Sequence, residues 1–246
     1  MVENWKVWKK NKNVESRTFQ RVKNKLSEME SAKQLKKIIL NLYKPGMKIL
    51  DVGCASGHYY NSIKKIDKNI LYFGLDPTKA YIDFAKKHFK KNNNVKFILA
   101  DIYKPPKNTK NKFDISFCCN VLLHLPTLDI PLKNLINTSK KYCVVRTLIS
   151  DKTHISKYLY SDKYDKKGNP KDFVYQNTYS YDYFKKIVKS VGNCSIKFLS
   201  DEFNAQNINS EFKKFEKKQS AVTKVMDKVQ LAGSKVFQWK WAIIKK

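Results

Sequence analysis

The hydrophobic pattern divides the chain into a helical start, an alternating middle region and a polar segment before a final apolar run. Apolar residues recur at about every 3.6 positions across residues 14–43, which predicts an amphipathic helix. Lys44, Pro45 and Gly46 break that pattern. Short apolar runs then alternate with helical periodicities, and this alternation is typical of a parallel sheet covered on both faces by helices.

The predicted elements follow one another with short connections. We expect strands over 47–52, 70–75, 95–100, 113–119 and 142–148, and helices over 78–91 and 128–140. Residues 151–179 are polar and rich in tyrosine, so they are interpreted as an insertion. After the insertion, we expect a helix over 181–191, a strand over 194–199, a lysine-rich helix over 210–231 and a final strand over 236–244. The domain prediction is an N-terminal helical extension or lid over 1–44 and one α/β domain over 45–246, with insertions at about 151–179 and, helical, at about 204–232.

Composition sets limits on the class of protein. A chain of 246 residues with 42% hydrophobic residues can bury a core, which argues against disorder. The formal net charge is +29, large enough to attract polyanions. Only three of the 50 basic residues are arginine, however, so 47 are lysine. Lysine and asparagine share A-rich codons, and spread lysines usually form a solvated surface. The charge therefore leaves nucleic acid as a possible partner without favouring it.

The cysteines and the apolar runs indicate a cytoplasmic protein. The five cysteines are odd in number and form no CxxC pair, and with the four histidines they show no zinc-ligand spacing, so we expect no metal. This usage is typical of a reducing compartment. No apolar run reaches the roughly 20 residues of a membrane span. The first residues also lack the apolar core of a secretory signal.

The turn after the first predicted strand carries the strongest chemical signal. The segment 51–57 reads Asp-Val-Gly-Cys-Ala-Ser-Gly, and its glycines allow a sharp turn and a close approach of a ligand to the backbone. It lacks the GxGxxG fingerprint of dinucleotide-binding proteins and the Gly-Lys-Ser/Thr of a P-loop. Asp51 at the strand end would repel phosphate, which indicates a cationic or uncharged portion of a ligand.

Two further acids end the next two predicted strands. Asp76 follows the second strand, where a carboxylate can accept hydrogen bonds from ribose hydroxyls in doubly wound folds. Asp101 follows the third strand. Each acid alone could simply cap the next helix. Three in succession beside a glycine turn favour a nucleoside-type ligand.

Together with Asn-Val-Leu-Leu-His-Leu-Pro at 120–126, these residues resemble the class I S-adenosylmethionine-dependent methyltransferases. The resemblance covers about residues 46–150 well, and 180–246 in element order only. It implies a Rossmann-like, doubly wound, seven-stranded sheet of order 3-2-1-4-5-7-6 with the last strand antiparallel. It also implies S-adenosylmethionine as the cofactor.

The resemblance assigns cofactor roles to particular residues. Asp51 would hold the network around the methionine amino group, Asp76 the ribose, and Asp101 with Ile102 the adenine edge. The family more often has glycine where Ala55 stands. The full set of expected cofactor-binding residues is Asp51, Gly53, Cys54, Ala55, Gly57, Asp76, Pro77, Asp101, Ile102, Asn120 and Val121.

The catalytic and acceptor-binding residues are less sharply defined. His124 follows the fourth strand at the ligand-binding edge, and is either a general base or a structural histidine packed between leucines. Arg146 is either a clamp for an anionic acceptor group or part of an ordinary surface ion pair. The expected acceptor-binding residues are Tyr59, Arg146, His154, Tyr175 and Tyr179, with the 151–179 insertion building the acceptor pocket.

Three functions remain open on the sequence alone. The preferred one is methyl transfer to a hydroxyl or amine of a small or medium acceptor, such as a sugar, a glycan precursor or a secondary metabolite. The first alternative is methylation of tRNA or rRNA, for which the charge of +29 is the support. The second is a non-catalytic binding protein on the same fold. The sequence also leaves the oligomeric state open.

Overall fold

A computed structural model of the chain describes residues 11–202, 223–226, 229–232 and 235–246. The first ten residues of the predicted N-terminal extension lie outside this range. The helices are α1 (Lys12–Val22), α2 (Glu30–Leu42), α3 (Tyr60–Ile63), α4 (Lys79–His88), α5 (Asp129–Thr138) and α6 (Tyr181–Val191). The first seven strands are β1 (Lys48–Val52), β2 (Leu71–Asp76), β3 (Val95–Leu99), β4 (Phe113–Cys119), β5 (Ser139–Ser150), β6 (Lys157–Leu159) and β7 (Phe173–Tyr175). The remaining six are β8 (Tyr179–Ser180), β9 (Ser195–Ser200), β10 (Thr223–Met226), β11 (Val229–Ala232), β12 (Lys235–Phe237) and β13 (Trp239–Lys245).

The central sheet has the predicted order. Its strands follow the order β3-β2-β1-β4-β5-β13-β9, and β8 adds a short pairing to the end of β5. The pairs among β1 to β5 are parallel, whereas β13 runs antiparallel to both β5 and β9. Written in chain order of the seven main strands, this is 3-2-1-4-5-7-6, so the predicted doubly wound fold is confirmed.

The two faces of the sheet are both buried, as the alternation of strands and helices requires. In β1, Leu50 packs in the cluster that includes α5 and α6, whereas its neighbour Ile49 packs in the cluster that includes α2, α3 and α4. Successive strand side chains point to opposite faces, which explains the division. The parallel strands therefore end at one common edge with a core on each side.

The predicted helix over 14–43 is wrong in one respect, because it is two helices. The break between α1 and α2 includes Asn24, whose φ of 56° lies in the left-handed region that asparagine tolerates better than most residues. The Asn61 side chain donates to the carbonyls of Val22 at 2.9 Å and Arg21 at 3.3 Å. These bonds satisfy the end of α1 and fix it against α3.

The predicted helical insertion at about 204–232 is also wrong where the structure describes it. Residues 203–222 lie outside the described range, and β10, β11 and β12 form an antiparallel three-stranded sheet. Thr223, Val225 and Val229 are β-branched, and two-residue connections separate these strands, which is a hairpin pattern. The final strand begins at Trp239, because Gln238 separates it from β12.

In the described part of the chain, no helix combines the length and the apolar character that crossing a membrane requires.

Candidate active site

The turn between β1 and α3 forms a cradle of left-handed backbone. Gly53, Ala55 and Gly57 have φ values of 77°, 47° and 82°. A Cβ atom on Gly53 would lie 2.3 Å from Cγ2 of Val121, and one on Gly57 would lie 2.7 Å from the Phe97 ring. The turn therefore packs directly against the segment after β4 and against β3. Ala55 adopts a left-handed conformation that glycine takes freely and that costs a residue with a Cβ backbone strain.

Asp76 joins the end of β2 to this cradle. Its Oδ2 accepts from the Ala55 backbone N–H at 2.9 Å, and its Oδ1 accepts from that of Thr78 at 2.8 Å. The side chain is buried, and burial raises its pKa against the lowering effect of these two hydrogen bonds. The bond to Ala55 spans 21 residues, so this acid does more than satisfy the start of α4.

Asp51 is an almost fully buried acid, with 1% of its surface exposed. Its Oδ2 accepts from the Tyr72 hydroxyl at 2.5 Å. Burial raises the pKa of Asp51 to about 8, and the nearby Asp76 carboxylate adds to the shift, while the Tyr72 hydrogen bond opposes it. The Asp101 carboxylate in turn raises the pKa of Asp76, so it lies close enough to act on it electrostatically. A cationic group beside Asp51 would lower this raised pKa and stabilise the carboxylate form.

The segment after β4 carries His124 at the end of a short 3-10 turn, Leu122–His124. Its Nδ1 lies 2.8 Å from the backbone carbonyl oxygen of Tyr175. A carbonyl can only accept, so Nδ1 carries the proton and Nε2 carries the lone pair. Burial lowers the pKa of His124 to about 4, although its bond to the Tyr175 carbonyl opposes the shift. The imidazole is therefore neutral at pH 7.

The structure gives several expected acceptor-binding residues other contacts. Tyr179 is buried and its hydroxyl donates to the Leu122 carbonyl at 3.0 Å. Tyr59 is buried, with its hydroxyl 2.9 Å from that of Ser31. Both side chains have structural contacts, which does not support placing them on an acceptor.

The remaining expected acceptor residues, His154, Tyr175 and Arg146, also have contacts within the chain. His154 is exposed and pairs with Thr178 through its backbone. Tyr175 reaches the site through its carbonyl, and its ring packs edge-on against Phe173. The structure places Arg146 in a buried ion pair with Asp201, and not in the surface ion pair that the sequence offered as the alternative to a ligand clamp.

Sequence reasoning missed Asn177, which ties the insertion to the segment after β4. Its side chain is fully buried, and its Nδ2 donates to the Leu125 carbonyl at 2.9 Å. Its backbone N–H donates to the Leu123 carbonyl, also at 2.9 Å. Its Oδ1 accepts from the Ser156 backbone N–H at 3.1 Å. No local signal marks an asparagine in a polar stretch as buried, so only the fold reveals this role.

A doubly wound sheet of this order, with an acid and a glycine turn at the end of β1, defines the class I methyltransferase fold. The family comparison agrees, since a model described as "Methyltransferase domain" matches residues 43–230. The match covers most of the chain, so the chain belongs to that family. This confirms the predicted recognition of an S-adenosylmethionine-dependent methyltransferase, an enzyme class whose cofactor is S-adenosylmethionine.

An individual relative matches a smaller part of the chain than the family model does. The ubiquinone biosynthesis O-methyltransferase of Coxiella burnetii is 30% identical over 102 residues, or 41% of this chain. The match spans 42% of that protein, less than half of its length.

Two solved structures share the fold at low sequence identity. The first, magnesium protoporphyrin IX methyltransferase of Synechocystis PCC 6803 with bound SAM, has a TM-score of 0.52 and 14% identity, covering 87% of this chain and 79% of that one. The second, the YcgJ protein of Bacillus subtilis, has a TM-score of 0.55 and 10% identity, covering 88% and 98%.

Proposed function

We propose that this chain transfers a methyl group from S-adenosylmethionine to a hydroxyl oxygen of a small or medium acceptor, with His124 as the general base. The observation that carries the proposal is the fixed tautomer of His124. The Tyr175 carbonyl holds the proton on Nδ1, which leaves the basic lone pair on Nε2. A neutral imidazole can accept a proton from a hydroxyl as the methyl group is transferred, and the lowered pKa of about 4 makes His124 a weaker base than an exposed histidine.

The residues at the sheet edge fit the cofactor. The left-handed cradle at Gly53 and Ala55 offers backbone without bulky side chains, and buried Asp51 suits an ammonium group. Each Asp76 oxygen accepts one backbone N–H and keeps a further lone pair for a ribose hydroxyl. Asp101 and Ile102 follow β3 and would border the adenine. Bound there, S-adenosylmethionine supplies a methyl group already activated by its sulfonium charge.

The chain's own contribution is mainly orientation. The Asn177 contacts hold residues 122–125 against the insertion, so they fix the backbone that carries His124. The insertion provides the carbonyl that selects the His124 tautomer. Proton removal and acceptor placement thus depend on the same packed segment.

One chemical argument and one similarity favour a hydroxyl acceptor over an amine. A hydroxyl holds its proton at neutral pH and gains from a base, whereas an amine can lose its proton before transfer. The Coxiella relative is named as an O-methyltransferase. Transfer to RNA stays the alternative, supported by the net charge of +29 alone.

The test is a transfer assay with tritiated methyl donor against a panel of phenols, sugars, glycan precursors, amines and transcribed tRNA. The key variant is His124→Asn, whose amide can still donate to the Tyr175 carbonyl but offers no basic Nε2. The matched control is His88→Asn, at an exposed position at the end of α4 and outside the expected site. We expect a hydroxyl compound to be methylated, and His124→Asn to lower kcat about 100-fold or more.

Binding data separate catalysis from folding in the same experiment. Affinity for S-adenosylhomocysteine should be equal in the two histidine variants and the wild type. A wild-type kcat in His124→Asn would remove the base from the proposal. Methylation of tRNA alone, with binding that weakens steeply as salt rises, would replace the hydroxyl acceptor by RNA.

A further inference from the structure

Arg146 is a buried cation with three kinds of partner. Its Nε and Nη2 donate to the two carboxylate oxygens of Asp201 at 2.9 and 2.7 Å. Its Nη1 donates to Oδ1 of Asn120 at 2.5 Å. The guanidinium also lies over the Trp239 ring, 4.1 Å from its centroid. The side chains of Arg146 and Asp201 are only 8% and 2% exposed, so water does not compete for these contacts.

The choice of arginine here is informative because the chain otherwise uses lysine. Only three arginines occur among its 50 basic residues. A lysine ammonium is a compact point charge and cannot grip a carboxylate in parallel, reach an amide and stack on an indole together. The geometry at residue 146 uses all three properties of the planar guanidinium.

Arg146 contacts Asn120 through both backbone and side chain. The Asn120 backbone N–H donates to the Arg146 carbonyl at 3.0 Å. The bond from Nη1 directs Oδ1 of Asn120 toward Arg146, so its Nδ2 points away, 3.5 Å from the Tyr59 hydroxyl. Asn120 itself has a φ of 61°, a conformation that needs support from its surroundings.

Two series of contacts, one from Asn120 and one from Asp201, both lead to helix α2. On one side, the Tyr59 hydroxyl lies 2.9 Å from that of Ser31 in α2. On the other, Trp241 Nε1 donates to Asp201 Oδ1 at 2.9 Å and to Gln34 Oε1 at 3.0 Å, and Gln34 is also in α2. The seven residues close a polar ring, which we call the α2 ring: Ser31, Tyr59, Asn120, Arg146, Asp201, Trp241 and Gln34.

We propose that Arg146 is a positioning residue for the methyl-transfer site, in which it fixes the side chain of Asn120 and is itself fixed by Asp201. This inference rests on the proposed function, because it takes Asn120 to border the cofactor. The α2 ring then couples the second helix of the N-terminal extension to the strand end that carries Asn120. Arg146 acts on the ligand only through Asn120.

The test is a double-mutant cycle on the full chain, with S-adenosylhomocysteine affinity measured by calorimetry and the melting temperature recorded for each protein. The variants are Arg146→Lys, Asn120→Ala and the two combined. Ile187→Val, at a buried position in α6, is the control for a general loss of stability. We expect each single variant of the cycle to bind about tenfold more weakly, the combined variant to bind no more weakly than Asn120→Ala, and the control to bind as the wild type does.

Asp201→Asn adds a second arm, since it keeps the shape of Asp201 but removes its charge. We expect a smaller loss of affinity in the same direction as that of Arg146→Lys. Wild-type affinity in Arg146→Lys, or losses that multiply in the combined variant, would overturn the positioning role while the proposed function stands. A wild-type protein that binds no S-adenosylhomocysteine would overturn both.

Discussion

Gly53→Ala tests most sharply how the cradle is built. Gly53 has a φ of 77°, and a Cβ there would lie 2.3 Å from Cγ2 of Val121. The chain offers a matched control in Gly46, whose φ of 84° is similar but whose Cβ would meet nothing within 4 Å. Comparing the two alanine variants separates the backbone strain from the steric overlap.

The expected losses of unfolding free energy follow from the backbone strain and the steric overlap. A left-handed backbone costs a residue with a Cβ about 1–2 kcal/mol, and alanine recovers about 0.4–1 kcal/mol by restricting the unfolded chain. Gly46→Ala should therefore lose about 0.5–1 kcal/mol of unfolding free energy. Overpacking against Val121 adds about 1–3 kcal/mol, so Gly53→Ala should lose about 1.5–4 kcal/mol. It should also displace the segment after β4 and weaken cofactor binding.

Urea denaturation measures the unfolding free energies, and calorimetry measures S-adenosylhomocysteine affinity. A second substitution, Val121→Ala, removes the overlapping methyl group and should recover the steric part of the loss in the double variant. If Gly53→Ala matched Gly46→Ala in both stability and affinity, the cradle would not pack on Val121 as described, and the reasoning would fail.

Two further predictions concern the site and the insertion. Because burial raises the pKa of Asp51 to about 8, the free protein holds a proton there at pH 7, and a cofactor ammonium should expel up to about 0.9 of a proton. Calorimetry at pH 7 in two buffers of different ionisation enthalpy measures this release; equal release in Asp51→Asn would contradict the assignment. Asn177→Ala leaves the Ser156 N–H and the Leu125 carbonyl without their partner, so we expect a loss of about 2–4 kcal/mol in urea and faster hydrogen exchange over 151–180. Unchanged exchange there would show that Asn177 does not anchor the insertion.

The sheet could be predicted, and a cofactor edge proposed, because their signals are local in the sequence. A buried strand is a short apolar run, and the acid at its end lies beside it in the sequence, as with Val52 preceded by Asp51, or Leu75 followed by Asp76. Parallel pairing then brings the strand ends to one edge without further information. The order of the strands came from the family resemblance, and the structure agrees with it.

The partner of Arg146 and the burial of Asn177 depend on contacts between residues far apart in the chain, so the sequence alone does not reveal them. Whether Arg146 clamps a ligand or pairs within the chain was decided by Asp201, 55 residues away. The burial of Asn177 is stabilised by the carbonyls that Leu123 and Leu125, more than 50 residues away, present to it. The segment 223–232 is predicted as part of a helix, whereas the structure has strands β10 and β11 there, because apolar and lysine residues alternate in a way that partly fits both periods.

The central claim is that this chain binds S-adenosylmethionine at the ends of β1, β2 and β3, and calorimetric titration with S-adenosylhomocysteine tests it most directly. The wild type should bind one equivalent. Asp76→Asn should bind about 10- to 150-fold more weakly, because a hydrogen bond to a charged acceptor contributes about 1.5–3 kcal/mol. Asp83→Asn, on the exposed side of α4, should bind like the wild type. No binding by the wild type, or equal binding by Asp76→Asn, would contradict the assignment of the site.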